Sequence, residues 1–334
     1  MKKLILILLC VPLIGLGQQT YVPDSAFEAY LEANGMGNNI PNDSNVFTSA
    51  IDTVIVLIID SLNISDLTGI EDFTSLTHLN CSANQLTSID VSNNSNLTVL
   101  DCRDNHLTSL DVIQNTALTN LNCENSQFNN SGNQITSLDV SYNTALTYLN
   151  CMNNLLTNLD VSYNTSLVSL YCLGNQITSL NLSNNDSLFY LTISYNPIDT
   201  LVLLNLINLR GFWCSSSNIT SIDLSQNINL RSLELSSSQL TNLDVSYNTD
   251  LTYLNCQRNQ LTSLDLSNNF DLVALNCRYN ELTSLDLRNG NNTILDTSSY
   301  QGPYYFGPRL DFTNNPQLYC IDVDDPTYSN NNWT

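Results

Sequence analysis

The sequence predicts a mainly β solenoid, with parallel strands on every 21-residue rung and a short helical cap at its N-terminal end. Three observations carry this. First, one phrase recurs, clearest at Ile135 to Leu155 (ITSLDVSYNTALTYLNCMNNL), with copies starting at Leu86, Leu107, Ile135, Leu156, Ile177, Ile198, Ile219, Leu240, Leu261 and Leu282. Every step is 21 residues except the 28 from Leu107 to Ile135, and a fixed period near 20 is the mark of stacked rungs that bury one continuous core. Second, apolar residues alternate in both halves of the phrase and helical spacing is absent, so each half is extended with one face inward. Third, cysteine occupies one slot of the phrase in most copies, and Ile193 and Leu235 replace it in two others. A slot shared by Cys, Ile and Leu is an inward apolar position.

Taken in order, Met1 to Gly17 (MKKLILILLCVPLIGLG) has two lysines, an apolar run and a small-residue end. These are the features of a secretory signal peptide cleaved near Gly17, and the run is too short to argue for a membrane span. Leu9 stands before Cys10 where a lipid-modified cysteine wants a small residue, which disfavours a lipid anchor. Residues 18–53 form an N-terminal cap: Pro23-Asp24-Ser25 starts a helix, Phe27, Tyr30 and Leu31 follow at helical spacing, and Gly35-Met36-Gly37 stops it. Val54 to Ile59 supplies the first strand of the rungs. The repeats run over 54–289 without a change of composition, so the sequence predicts one domain. The 28-residue unit carries its extra residues in the polar stretch Glu124 to Asn133, a surface loop with Phe128 at its centre, where the ring is either a contact residue or tucked onto the coil. After Leu287 glycines and prolines break the pattern. Residues 290–334 are read as a C-terminal cap, with one last strand at Leu318 to Val323 and a loose acidic end.

The tract Leu146-Thr-Tyr-Leu149-Asn-Cys151-Met-Asn-Asn154-Leu-Leu156 fits the pattern LxxLxCxxNxL, and the chain resembles the bacterial leucine-rich repeats. The other half of the unit, Leu156 to Asn164, is a near copy of that tract, as in the nested 21-residue class of the family. Ile64 to Gln85 resembles the 22-residue internalin type. The resemblance implies a strand face that serves as the usual ligand surface. It also implies that the asparagines after each strand (Asn84, Asn105, Asn154, Asn175, Asn196, Asn259 and Asn280) turn inward onto the backbone of the turn.

Charge narrows the partners. Lys2 and Lys3 are the only lysines, so a chain cleaved near Gly17 sets seven arginines against 31 acidic residues, a net charge of about −24. Such a surface repels phosphate backbones and anionic lipid heads. The expected partner is therefore a protein or a glycan, with no nucleic acid, no membrane insertion of the mature chain, and a monomeric state. The ladder cysteines have neighbours whose side chains point the same way about 4.8 Å off, a poor orientation for a disulfide, and no CxxC pair or neighbouring His suggests a metal. Cys320 lies outside the ladder with no evident mate. No Ser-His-Asp constellation, phosphate loop or HExxH is visible, and recurring carboxylates share like environments, unlike an acid–base pair. The chain is expected not to be an enzyme and to need no cofactor.

Two recurrent exposed features remain. Asp90, Asp111, Asp139, Asp160, Asp223, Asp244, Asp265 and Asp286 share one slot, and stacked carboxylates repel by roughly 1 kcal/mol per neighbouring pair in water. Solvation and the flanking Ser and Thr offset this on one reading; on the other, loosely bound Ca²⁺ does so, with Asp139, Asp160, Asp244 and Asp265 as candidate ligands. The second feature breaks the repeat. Outward slots that hold Asn, Asp or Ser in many units hold Tyr148, Tyr171, Tyr190 and Trp213 in the middle rungs, with Tyr253 further along. These five are the candidate ligand-binding residues, because amphipathic rings are the typical anchors of binding sites. The rival function is a surface spacer without a specific ligand, or an acidic solenoid that binds a lattice or cations.

Overall fold

The computed structural model describes residues 17–126, 132–290, 292–295, 299–301 and 306–333. The stretch up to residue 16, read above as a signal peptide, and Phe128 lie outside them. Each rung begins with a three-residue strand whose middle side chain is a buried leucine, from Leu57 in Val56–Ile58 to Leu275 in Ala274–Asn276, with Phe212 the one exception in that span. Among the described residues these strands and Leu310–Asp311 form a twelve-stranded, wholly parallel sheet of about eleven turns. The seven extra residues of the long rung leave the register intact: Asn120 to Asn122 pair directly with Tyr148 to Asn150. This is the parallel solenoid that the period predicts.

The N-terminal helix spans Ser25–Ala33, and the Asp24 carboxylate accepts the backbone N–H groups of Ala26 and Phe27. Its buried Phe27 stacks on Phe73 with centroids 6.2 Å apart, which seals the open end of the core. The antiparallel pair Gln19–Tyr21 and Asn45–Phe47 also lies here; nothing in its alternation distinguishes it from loop. At the other end Cys320–Val323 pairs with Ser284–Leu287. The loose end expected after it is instead a helix, Pro326–Asn332, started by the Asp325 side chain on the N–H groups of Thr327 and Tyr328. Its sequence has poor helix formers, so the cap decides. Among the described residues no helix is long and apolar enough to cross a membrane.

The cysteine slot is core. Cys81, Cys102, Cys123, Cys151, Cys172, Cys214, Cys256 and Cys277 are buried and unbridged, while Cys320 is partly exposed. Burial raises the ladder thiols far above their ordinary range, Cys214 to about 11.

Two asparagine ladders tie the turns. In the expected one, each Oδ1 caps a buried backbone N–H of the preceding rung, as Asn154 does for Ile135 at 2.9 Å, and each Nδ2 spans backbone carbonyls, here Cys123 and Cys151. Asn133, at the end of the long rung, joins it by capping Leu107. The second ladder, Asn94, Asn115, Asn143, Asn164, Asn185, Asn227, Asn248 and Asn269, is fully buried on the other half of the coil. There Nδ2 again spans two carbonyls, Val140 and Asn143 for Asn164 at 2.9 Å, but Oδ1 meets no partner among the described residues. Leu206 fills one rung of that file. Just before the first-ladder position most rungs have one left-handed residue, including Tyr195 and Gly174 at φ of 55° and 69°. At Gly174 a Cβ would meet Asn153 Oδ1 at 2.3 Å.

Candidate functional site

The strand face presents two outward columns, the first and third residues of each strand. Register puts Tyr148, Ser169, Tyr190 and Gly211 in the first column on successive rungs, and Asn150, Tyr171, Thr192 and Trp213 in the third. Each ring leans across to its diagonal neighbour. Tyr148 and Tyr171 are 5.5 Å apart at 47°, and Tyr190 and Trp213 are 6.4 Å apart and nearly parallel. The indole lies over Gly211, whose missing Cβ would stand 2.3 Å from it. This is why glycine sits in a strand here.

A cavity of about 670 Å³ opens on this face, with Tyr148, Tyr171 and Trp213 in its lining. Tyr190 is 41% exposed beside Trp213, which is itself 7% exposed. Four of the five sequence-predicted rings are thus brought together. Tyr253 is not: it is 4% exposed, and its hydroxyl donates to Glu234 Oε2 at 2.9 Å. Strand alternation gives the side a residue faces but not whether a long side chain then lies flat on its neighbours.

Sequence reasoning missed Glu124, Glu234, Met152, Leu173 and Tyr195, which also line the cavity. Glu234 had a legible signal, since it replaces the Asn, Asp or aromatic residue found at most third-column positions. Tyr195 had none, because its 60% exposure follows from the left-handed backbone that turns it outward. Charge on the face is paired at both ends: Arg103 stands 3.6 Å from Asp101 and 3.9 Å from Glu124, and Arg278 3.6 Å from Asp311. Burial raises the Tyr148 phenol and the Asp101 carboxyl above their usual ranges.

The acidic file lies on the other half of the rung. Asp139, Asp160, Asp244 and Asp265 each accept the backbone N–H of the serine two residues on, at 2.9 Å. Hydrogen bonds from that serine hold the Asp139, Asp160 and Asp244 carboxyls below their ordinary value. Asn181 and Val202 interrupt the file. Among the described residues no three His, Cys, Asp or Glu side chains converge as a metal site. Each carboxylate being turned onto its own backbone, a calcium chelator is expected to leave the melting midpoint of the purified protein unchanged; a lowered midpoint would establish shared Ca²⁺ along the file.

No protein-family model and no curated protein matches the chain. Solved structures do. The functional domain of InlJ from Listeria monocytogenes, described as including a cysteine ladder, is 36% identical with a TM-score of 0.75 over 92% of this chain and 62% of that one. This chain therefore spans somewhat under two thirds of its length. The internalin InlF from Listeria monocytogenes shares the fold at 22% identity, with a TM-score of 0.64 over 92% of both chains. So does the leucine-rich-repeat ectodomain of the receptor kinase GASSHO1/SCHENGEN3 from Arabidopsis thaliana, in complex with CASPARIAN STRIP INTEGRITY FACTOR 2, at 19% identity and a TM-score of 0.61 over 84% of this chain and 40% of that one.

Proposed function

The chain is a leucine-rich-repeat solenoid of the bacterial, internalin-like kind, and on that premise we propose that it is an exported, non-enzymatic module that binds a protein partner on its strand face. One observation carries this reading: aromatic residues from four successive rungs form two ring pairs on one stretch of the strand face, and three of them, Tyr148, Tyr171 and Trp213, line a cavity there. Rigid rings with polar tips at the centre of a surface are what binding anchors look like. The solved complex of the plant receptor ectodomain, in which a leucine-rich repeat holds a partner, supports the same use of the fold. Export rests on the apolar leader, Met1 to Gly17.

An array of extracellular proteins and glycans probed with wild type and with the Tyr171→Ala, Trp213→Ala pair tests it. The double variant is expected to lose partner binding at least a hundredfold, since anchor truncations cost about 2 kcal/mol or more each, while its circular dichroism spectrum shows the fold retained. Undiminished binding would remove the aromatic face as the site. A ligand that is a glycan would replace the protein reading, and no ligand at all would favour the spacer.

A further inference from the structure

The chemistry of the occupant follows from Glu234, and the inference rests on the strand face being the binding surface. Glu234 pairs in register with Trp213 on the preceding rung. Its Oε1 accepts the Ser215 hydroxyl at 2.8 Å and the Ser236 backbone N–H at 3.2 Å. Its Oε2 accepts the Tyr253 hydroxyl at 2.9 Å and the Asn255 amide at 2.8 Å. All four lone-pair positions of the carboxylate are therefore filled. Every donor is neutral, and among the described residues no arginine stands within 4 Å of it. The other acids of this face described above, Asp101, Glu124 and Asp311, all have an arginine. Glu234 is thus a fixed negative charge with no acceptor capacity left for the hydroxyls of a sugar, yet its field extends into the cavity beside the indole.

On the other side of the indole from Glu234 lies a notch. Between the pair Tyr148–Tyr171 and the pair Tyr190–Trp213 the register places only Ser169 and Thr192. Tyr171 and Trp213 share a column two rungs apart, so their attachment points are about 10 Å apart, room for one flat or slender group with a ring on either side. Aromatic faces attract cations, most strongly where water is excluded, and a carboxylate fixed by neutral donors adds Coulomb attraction that no internal partner cancels.

We propose that this notch receives a cationic side chain, arginine or lysine, presented by the partner protein and held by the rings and by the charge of Glu234. The test uses the whole chain with Trp333→Phe, so that Trp213 is the only tryptophan, and follows its fluorescence. The probes are a Gly/Ser dodecapeptide with one central arginine and the same peptide with citrulline, which has nearly the same shape without the charge. The arginine peptide is expected to bind at least about fivefold more tightly. Glu234→Gln should reduce that preference while leaving the citrulline peptide unaffected, and Asp160→Asn, which removes one charge from the file on the other half of the rung, should preserve it. Ser169→Lys, which fills the notch without touching the donors of Glu234, should abolish binding of the arginine peptide with the melting curve intact.

Equal affinity for the two peptides, or equal loss of the preference in Asp160→Asn and Glu234→Gln, would overturn the cationic occupant. Binding of both peptides would still support the face as the site. Binding of neither at millimolar concentration, or tighter binding of a neutral oligosaccharide that Glu234→Gln leaves unchanged, would also overturn it. The aromatic double variant, tested against the array, decides the face separately.

Discussion

Replacing Asn154 by leucine is expected to lower the unfolding free energy by about 3 kcal/mol, and the same change at Asn164 by about 1 kcal/mol or less. Both asparagines are buried, and both bridge carbonyls between rungs. They differ in what the oxygen does. Asn154 Oδ1 accepts the buried Ile135 N–H, so its loss strands a backbone donor in the core. A buried donor without a partner costs more than a hydrogen bond contributes. Asn164 Oδ1 caps nothing among the described residues, and the two carbonyls its amide reaches also accept turn N–H groups, from Asn143 and Leu146. Leu206 already occupies that file with the rung intact. Urea titration of the two variants reads the difference directly; equal losses would show that the ladders do the same work.

The second large effect is chemical. In the native protein at pH 8, Cys320 is expected to be alkylated within minutes by iodoacetamide, while the eight ladder thiols stay unmodified until the chain unfolds. Burial takes the least shifted of the ladder thiols, Cys214, to about 11, which leaves on the order of one thiolate in a thousand at that pH, and the reagent must also reach the core. Because the folded pKa is raised, the neutral thiol is the form that the fold favours, and the protection weakens only as pH climbs toward that value. Intact-mass measurement in buffer and in concentrated guanidinium counts the modified sites. Ladder cysteines that react at the rate of Cys320 would mean that the coil opens far more readily than its packing implies.

What could be read from the sequence divides along physical lines. The fold was legible because a buried slot admits few residue types, so Cys81, Cys102 and their successors announce themselves by sharing a position with Ile193 and Leu235. The asparagines of the first ladder were legible through the strand pattern that precedes them. The second ladder was not, since Asn143 or Asn164 in an SYN tract looks like an ordinary turn residue, and only three-dimensional stacking makes it interior. At the site, Tyr148, Tyr171, Tyr190 and Trp213 stood out because each breaks the repeat in an outward slot. Tyr253 broke it in the same way, but its hydroxyl reaches Glu234 and the ring is buried. The aromatic cluster was thus legible, and its charge only as a break in the third column at Glu234; that four donors from separate residues converge on this carboxylate is a coincidence of packing that no local pattern encodes.

The unequal ladders also make the coil mechanically lopsided. Along the strand side successive rungs are joined by backbone bonds as well as by capping asparagines, whereas the opposite side is held mainly by amide bridges such as Asn115 to Val91, with regular strand pairing only from Ser263 onward. Bending of the array therefore opens and closes its far side while the strand side resists stretching. A cavity built across seven rungs of the stiff side keeps its shape when the rod flexes, and a bound partner experiences that motion as rotation of a rigid plate.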